Sequence, residues 1–138
     1  MAATDNFRRQ HNDLLGLVGE IQDLASSPRS ETASIKICRI LSRMSGKLSI
    51  HLAAEDKSLY PRLVASDDAG TSEVAKRFQE EMSGLGDVYN AFAAKWRTPQ
   101  AIDDDFEGFV AESGEVFAAL GDRIARENRE LYPLADKS

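Results

Sequence analysis

Apolar residues recur along this chain at alternating steps of three and four, a spacing that predicts amphipathic helices rather than strands. Breaks rich in Ser, Pro, Asp and Gly divide the pattern into four stretches. The predicted helices run over about residues 4–25, 30–59, 71–96 and 98–131. Pro61 is expected to end or kink the second helix, and Pro133 is expected to stop the fourth.

The connections between these predicted helices are short, and short connections between long helices favour antiparallel neighbours. The sequence therefore predicts an all-α fold, an antiparallel up-down-up-down four-helix bundle. A chain of 138 residues suits one domain with a real hydrophobic core, so we expect a single domain over residues 1–138.

Five polar residues interrupt the apolar stripes that should form the core: His11, His51, Glu55, Arg123 and Glu127. In an antiparallel bundle these residues and Met82 fall in one layer near one end. Because an unpaired charge is costly in a core, this layer must neutralise itself or bind a cation. His51 and Glu55 are four residues apart, so both face one way and offer ligands suited to Fe or Zn.

Two segments of the chain nearly repeat each other, residues 51–61 (HLAAEDKSLYP) and residues 123–133 (RIARENRELYP). Position 51 corresponds to 123, and position 55 corresponds to 127. A repeat of this length indicates two similar halves that contribute to one site. The first half carries His51 where the second half carries Arg123.

These two segments, together with residues 7–15 (FRRQHNDLL), resemble the hemerythrin-like HHE cation-binding domain family over nearly the whole chain. The resemblance implies a helical bundle around a non-haem di-iron centre, with roles in O₂ binding, in nitric oxide or oxidative-stress responses, or in iron sensing. It implies His11 as the ligand from the first helix and His51 with Glu55 as the pair from the second. It also implies Glu127 as the carboxylate from the fourth helix.

Met82 and Arg123 depart from the family pattern, because both stand where the resemblance implies a histidine. A standard di-iron centre is therefore not expected. The leading hypothesis is a site for one Fe or Zn ion, or a relic of one, in which Arg123 lies between Glu55 and Glu127 and replaces the second metal. A metal-free polar layer stays open, since Arg123 and one protonated histidine would balance two carboxylates.

The sequence also allows functions that do not involve a metal ion. The bundle could be a metal-free structural or regulatory interaction domain, and a phosphotransfer role for His11 is disfavoured because that role requires an exposed histidine. Met82 is interpreted as core filler, and the repeated Leu-Tyr-Pro as structural. Hydrogen bonds from Tyr60 and Tyr132 to the polar layer are the less favoured alternative. No catalytic constellation, phosphate-binding loop or dinucleotide fingerprint is recognised, so enzymatic activity is not predicted.

Composition narrows the expected surroundings and partners. The net charge of −6 and the scattered Lys and Arg residues argue against nucleic acid and against an anionic membrane. No apolar run approaches the roughly 20 residues needed to span a bilayer. The single cysteine, Cys38, and an N-terminus without signal-peptide features predict a cytoplasmic protein. The expected partners are a metal ion or a small diatomic ligand.

Overall fold

The computed structural model describes residues 3–28 and 30–137, and within these ranges the chain is helical with no strand. The prediction of an all-α fold is therefore confirmed. Two π-helical turns, Glu55–Leu59 and Glu127–Leu131, continue the helices that precede them. The α-helices are α1 Asp5–Ser26, α2 Glu31–Ala54, α3 Tyr60–Val64, α4 Ala69–Lys95, α5 Pro99–Asp104, α6 Phe106–Arg126 and α7 Tyr132–Lys137.

Side-chain oxygens cap the beginnings of four of these helices. Ser30, Asp68, Thr98 and Asp105 each accept a hydrogen bond from the backbone N–H three residues later. The cap at Asp68 begins α4 at Ala69, so the predicted start at residue 71 or 72 is two to three residues late.

The predicted fourth helix is two helices, α5 and α6. Asp105 has φ −145° and ψ 68°, a backbone conformation outside the helical region, and its carboxylate accepts from the N–H of Gly108. The helix breaks here because the Asp105 side chain takes the place of a backbone carbonyl as hydrogen-bond partner.

Neither proline ends its helical segment at the position expected from the sequence. The path of α2 continues through the first π turn into α3 and reaches Val64, and the path of α6 continues through the second π turn to Lys137. The prediction that Pro133 stops the fourth helix is wrong. Each proline follows a π turn, where the wider helix leaves room for a ring that a regular α-helix would not accommodate.

The long helices pack as neighbours in the pairs α1 with α2, α2 with α4, α4 with α6, and α6 with α1. One apolar cluster spans these helices, and a second, smaller cluster joins α3, α4 and α7 around Leu63, Phe78 and Ala135. Along α1 and α2, the predicted polar layer lies directly next to the larger cluster, whose members include Leu14 and Leu48. Among the helices within the described ranges, none is long and apolar enough to cross a membrane.

Candidate metal centre

Four of the predicted site residues converge inside the bundle. His11 lies on α1, His51 lies on α2, and Glu55 and Glu127 are the first residues of the two π turns. Each offers one ligand atom, and these atoms all lie within 4.8 Å of one another. The two histidines are 1% exposed and the two glutamates 0%, so the cluster is closed to bulk water.

The ligand atoms are spaced as the corners of a coordination polyhedron. His11 Nε2 lies 3.1 Å from His51 Nε2 and 3.0 Å from Glu127 Oε1, while His51 Nε2 lies 3.2 Å from Glu55 Oε1. Atoms that share one Fe or Zn ion at about 2.1 Å lie roughly 3.0 to 3.4 Å apart. These three separations are therefore compatible with a shared ion of this size, and the four residues together could hold a metal ion.

Two amide side chains set the orientation of the imidazoles. Asn128 Oδ1 lies 2.9 Å from His11 Nδ1, and Gln10 Oε1 lies 2.6 Å from His51 Nδ1. An amide oxygen only accepts hydrogen bonds, so each Nδ1 carries a proton and each Nε2 turns inward. Two neutral imidazoles would then point Nε2 lone pairs at each other across 3.1 Å, an arrangement that calls for a cation between them.

The two tyrosines of the repeated Leu-Tyr-Pro hold the carboxylates, each reaching across to the other half of the chain. Tyr60 donates to Glu127 Oε2 at 2.9 Å, and Tyr132 donates to Glu55 Oε2 at 2.7 Å. The Tyr132 hydroxyl also lies 3.0 Å from His11 Nε2. The less favoured alternative for these tyrosines is therefore the one that the structure shows, because both hydroxyls belong to the polar network of the site.

One carboxylate oxygen in this network is left without a hydrogen bond. Glu55 Oε1 is buried and has no hydrogen-bond partner in the part of the chain that the structure describes. The other oxygen of the same carboxylate, Oε2, accepts a hydrogen bond from the Tyr132 hydroxyl. A buried oxygen without a partner carries a large desolvation cost, which a metal ion at this position would remove.

Burial controls protonation in the cluster. It lowers the pKa of His51 to about 4, with the nearby His11 adding to the effect. Burial also raises the pKa of Glu55 and of Glu127. In the same way it raises the pKa of Tyr60 and of Tyr132, which keeps both hydroxyls protonated as donors. Without a cation, the centre therefore resists carrying two ionised carboxylates.

Arg123 does not occupy the position predicted for it. Its Nη2 donates to Glu81 Oε2 at 2.8 Å, and Arg126 Nη1 donates to the same oxygen at 2.9 Å. The predicted bridge between Glu55 and Glu127 is therefore wrong. Glu81 ionises readily because its side chain is 36% exposed, whereas the two buried glutamates are desolvated. The hydrogen bond from Arg123 in turn lowers the pKa of Glu81.

Met82, the residue at the position of a missing histidine, is buried on α4. It is 7% exposed and lines a cavity between α2 and α4, in agreement with a packing role. Sequence reasoning missed Gln10 and Asn128, although each is adjacent in sequence to a predicted residue. Neighbours on a helix point in directions about 100° apart, so these amides reach a histidine on another helix rather than share the ligand face.

The sequence matches the family model of the hemerythrin HHE cation-binding domain over residues 2–135. The chain therefore belongs to this family, and the resemblance inferred from its motifs is confirmed. Comparisons with curated proteins and with solved structures gave no match.

Proposed function

We propose that this chain binds one Fe or Zn ion through His11 Nε2, His51 Nε2 and one carboxylate oxygen each of Glu55 and Glu127. The observation that carries the proposal is the pair of inward-facing Nε2 atoms 3.1 Å apart, each next to a buried carboxylate oxygen. Membership of a cation-binding family supports the same conclusion.

The proposal is for one ion because the second half of the chain lacks two ligands. Met82 offers a thioether, a poor partner for iron beside carboxylates, and Arg123 offers a guanidinium that does not bind metals. Arg123 stands where a second metal would need a ligand, but its hydrogen bond goes to Glu81. We infer that Arg123 replaces the missing histidine without bridging the two glutamates.

The antiparallel up-down-up-down order is part of the same proposal. The contact Asp13–Lys47 joins the first half of α1 to the last turns of α2. The contacts Trp96–Glu112 and Glu81–Arg123 join α4 to α6 in opposite order, because the residue number rises along α6 as it falls along α4. This arrangement supports the predicted topology and brings the candidate ligands to one end of the bundle.

The residues around the four ligands have two roles: some contact the imidazoles and others contact the carboxylates. Gln10 and Asn128 fix the imidazole orientation, while Tyr60 and Tyr132 hold one oxygen of each carboxylate and leave the other free. A bound ion would supply positive charge and an open coordination position, and iron would add redox chemistry toward O₂ or NO. We propose a role in sensing O₂, NO, oxidative stress or iron rather than in enzymatic turnover.

Metal content tests the proposal directly. Protein purified without a histidine tag and saturated with Fe(II) or Zn(II) is expected to retain one ion per chain by elemental analysis. Glu55→Gln keeps the shape of the side chain but removes a ligand charge, so it is expected to lose most of the bound metal. Glu80→Gln changes an exposed glutamate on α4 and is the matched control, expected to bind as wild type.

Two ions per chain would contradict the single-metal site. The absence of bound metal after saturation would instead favour the alternative, a metal-free structural or regulatory interaction domain. One observation favours that alternative: His11 Nε2 already lies within hydrogen-bond distance of His51 Nε2 and of Glu127 Oε1, so a shared proton can take the place of the cation there.

A further inference from the structure

The candidate centre is sealed, so any molecule that reacts there must pass through the protein. None of its four residues is more than 1% exposed. Near α1, Arg8 and Asp136 form an ion pair at 3.4 Å, and the Arg8 guanidinium lies 5.3 Å from the Tyr132 ring centroid. This ion pair closes the centre on the side of the chain ends.

Next to Arg123, charged and aromatic side chains also fill the space between α4 and α6. Arg123 and Arg126 both donate to Glu81, and both guanidinium groups lie over the ring of Phe78 at 5.1 and 5.0 Å. These charged and aromatic groups are held together by several contacts. A small molecule entering here would have to break an ion pair.

The side between α2 and α4 is different, because a cavity of about 340 Å³ opens there. Its walls include Leu52 and Gly86, and its inner end is formed by the buried side chains of Tyr60 and Met82. A Cβ atom at Gly86 would lie 3.3 Å from Leu52 Cδ1, so the glycine keeps this space open. Three exposed polar residues complete the lining, namely Asp56, Gln79 and Ser83.

One side chain belongs both to the wall of this cavity and to the hydrogen-bond network of the centre. Tyr60 lines the cavity, and its hydroxyl donates to Glu127 Oε2 at 2.9 Å. Met82 beside it is unbranched with three rotatable bonds, so it can shift without disturbing the backbone. The inner end of the cavity is therefore a place where a small molecule can approach the candidate ligands.

The lining indicates the kind of molecule that fits. Leucine, methionine, glycine and a tyrosine ring present an apolar interior, while the Asp56 carboxylate at the mouth repels small anions. A second cavity, of about 230 Å³ between α1 and α2, touches the site only through Gln10 and contains Asp13 and Lys47, which pair at 3.7 Å. Its charged lining is less suited to an uncharged guest.

We propose that the α2–α4 cavity binds small uncharged diatomic molecules such as O₂ and is their entrance to the centre. The proposal that the cavity is an entrance rests on the proposed function, since the diatomic molecule would enter in order to bind the metal ion. As a binding cavity, it stands on the lining residues alone. The two parts are therefore tested separately.

The first experiment uses metal-free protein with ¹³C-labelled methionine methyl groups. Dissolved O₂ is expected to increase the relaxation rate of the Met82 methyl severalfold more than that of Met44, which is 0% exposed in the larger apolar cluster. Gly86→Leu fills the cavity and should remove this difference. Gly84→Leu is the matched control on the same helix, because a Cβ at Gly84 meets nothing within 4 Å.

The second experiment measures NO binding to Fe(II)-loaded protein by anaerobic stopped-flow spectroscopy. Gly86→Leu is expected to slow formation of the iron–nitrosyl spectrum on the order of tenfold, while Gly84→Leu leaves the rate unchanged. Should Gly86→Leu fail to fold, Ser83→Trp covers the mouth instead, with Gly84→Trp as its control.

The outcomes separate the two proposals. Iron binding with equal NO rates in all variants would overturn the entrance and leave the metal site standing. A chain that takes up no metal would overturn the proposed function and the entrance together, while the methyl relaxation would still decide the binding cavity. Equal O₂ effects at Met82 and Met44 in wild type would overturn the cavity itself.

Discussion

Single side chains decide how the imidazoles of the site are aimed. Gln10 and Asn128 accept from the Nδ1 atoms of His51 and His11, which leaves both Nε2 atoms facing the same space. Neither amide lies on the ligand face of its own helix. Each would therefore act on the proposed metal ion through a histidine of a neighbouring helix rather than by touching the ion.

Removing either amide should weaken metal binding. Gln10→Ala and Asn128→Ala are each expected to lower Zn(II) affinity by roughly 10- to 100-fold, because the freed ring samples other orientations and tautomers. Competition with a chromogenic chelator measures this change. Gln22→Ala, at an exposed amide further along α1, is the control. Affinities equal to that of Gln22→Ala would show that the hydrogen bonds do not orient the rings.

Acid should destabilise the metal-free protein through His51. Its pKa is about 4 when folded against an ordinary 6.5, so the unfolded chain takes up a proton at higher pH than the folded one. The contribution of this residue to the free energy of unfolding is complete above pH 6.5 and is lost as the pH falls toward 4. It amounts to about 3 kcal/mol at most.

Urea unfolding of wild type and His51→Gln, both stripped of metal, measures this effect. The stability of wild type relative to the variant should fall as the pH drops from 7 to 4. Glu55 and Glu127 have the opposite effect on stability, because burial raises the pKa of each carboxyl group when the protein is folded. Their protonation favours the folded state below about pH 4.5, and this stabilisation is lost as the pH rises through the raised pKa values. Both glutamates are present in both proteins, so parallel stability curves would contradict the role of His51.

At the scale of secondary structure, the two π turns place the carboxylates and tyrosines. Each turn begins with the candidate ligand, Glu55 or Glu127, and the next helix begins with the tyrosine five residues later. In a regular α-helix residues five apart point to different faces, whereas a π turn with bonds from residue i to i+5 brings them closer to one face. Tyr60 and Glu55 are therefore both buried in the same layer.

The cap at the start of α6 is a second local device with a measurable effect. Asp105→Ala removes the oxygen that accepts from Gly108 N–H and should lower the free energy of unfolding by about 1 kcal/mol. Asp104→Ala, one residue earlier on the exposed surface, is the control and should cost only a few tenths of that. Urea denaturation distinguishes the two, and equal losses would mean that Asp105 is not an effective cap.

At the scale of the whole molecule, the proposed ion links four separate parts of the chain. Its ligands come from α1, α2 and the two π turns, so binding should stabilise the folded state as a unit. The free energy gained is about 2.7 kcal/mol when free metal is at 100 times its dissociation constant. For a chain of 138 residues this corresponds to a rise in Tm of several degrees.

Thermal unfolding with and without Zn(II) measures this stabilisation, and a chelator should reverse it. Glu55→Gln is expected to show little or no shift, which separates binding at the centre from binding elsewhere on an acidic surface. A wild-type Tm that is unmoved by metal and by chelator would support the metal-free interaction domain instead. A cytoplasmic location and the absence of nucleic-acid partners stay predictions from composition.

The sequence predicted which ligand residues would come together in the candidate site, but it did not predict the hydrogen bonds that surround them. The positions of His11, His51, Glu55 and Glu127 on apolar stripes follow from helical periodicity, which depends on residues three and four apart. Arg123 pairs with Glu81 because the Glu81 carboxylate is partly exposed to water. The exposure of each carboxylate is known only once the helices are packed. The hydrogen bonds of Tyr60 and Tyr132 depend on the π turns. A π turn adds one residue to a helical turn, and the spacing of apolar residues does not reveal that extra residue.

By itself, then, the sequence determined an all-helical chain of the HHE family with two histidines and two glutamates on inward faces, because local periodicity and a long internal repeat are read directly from residue order. Only the tertiary structure decided where helices break, continue or widen, which hydrogen bond each charged group makes, and that a cavity is lined by Tyr60 and Met82. Those outcomes depend on distances of a few ångströms between different helices, and residue order alone does not specify such distances.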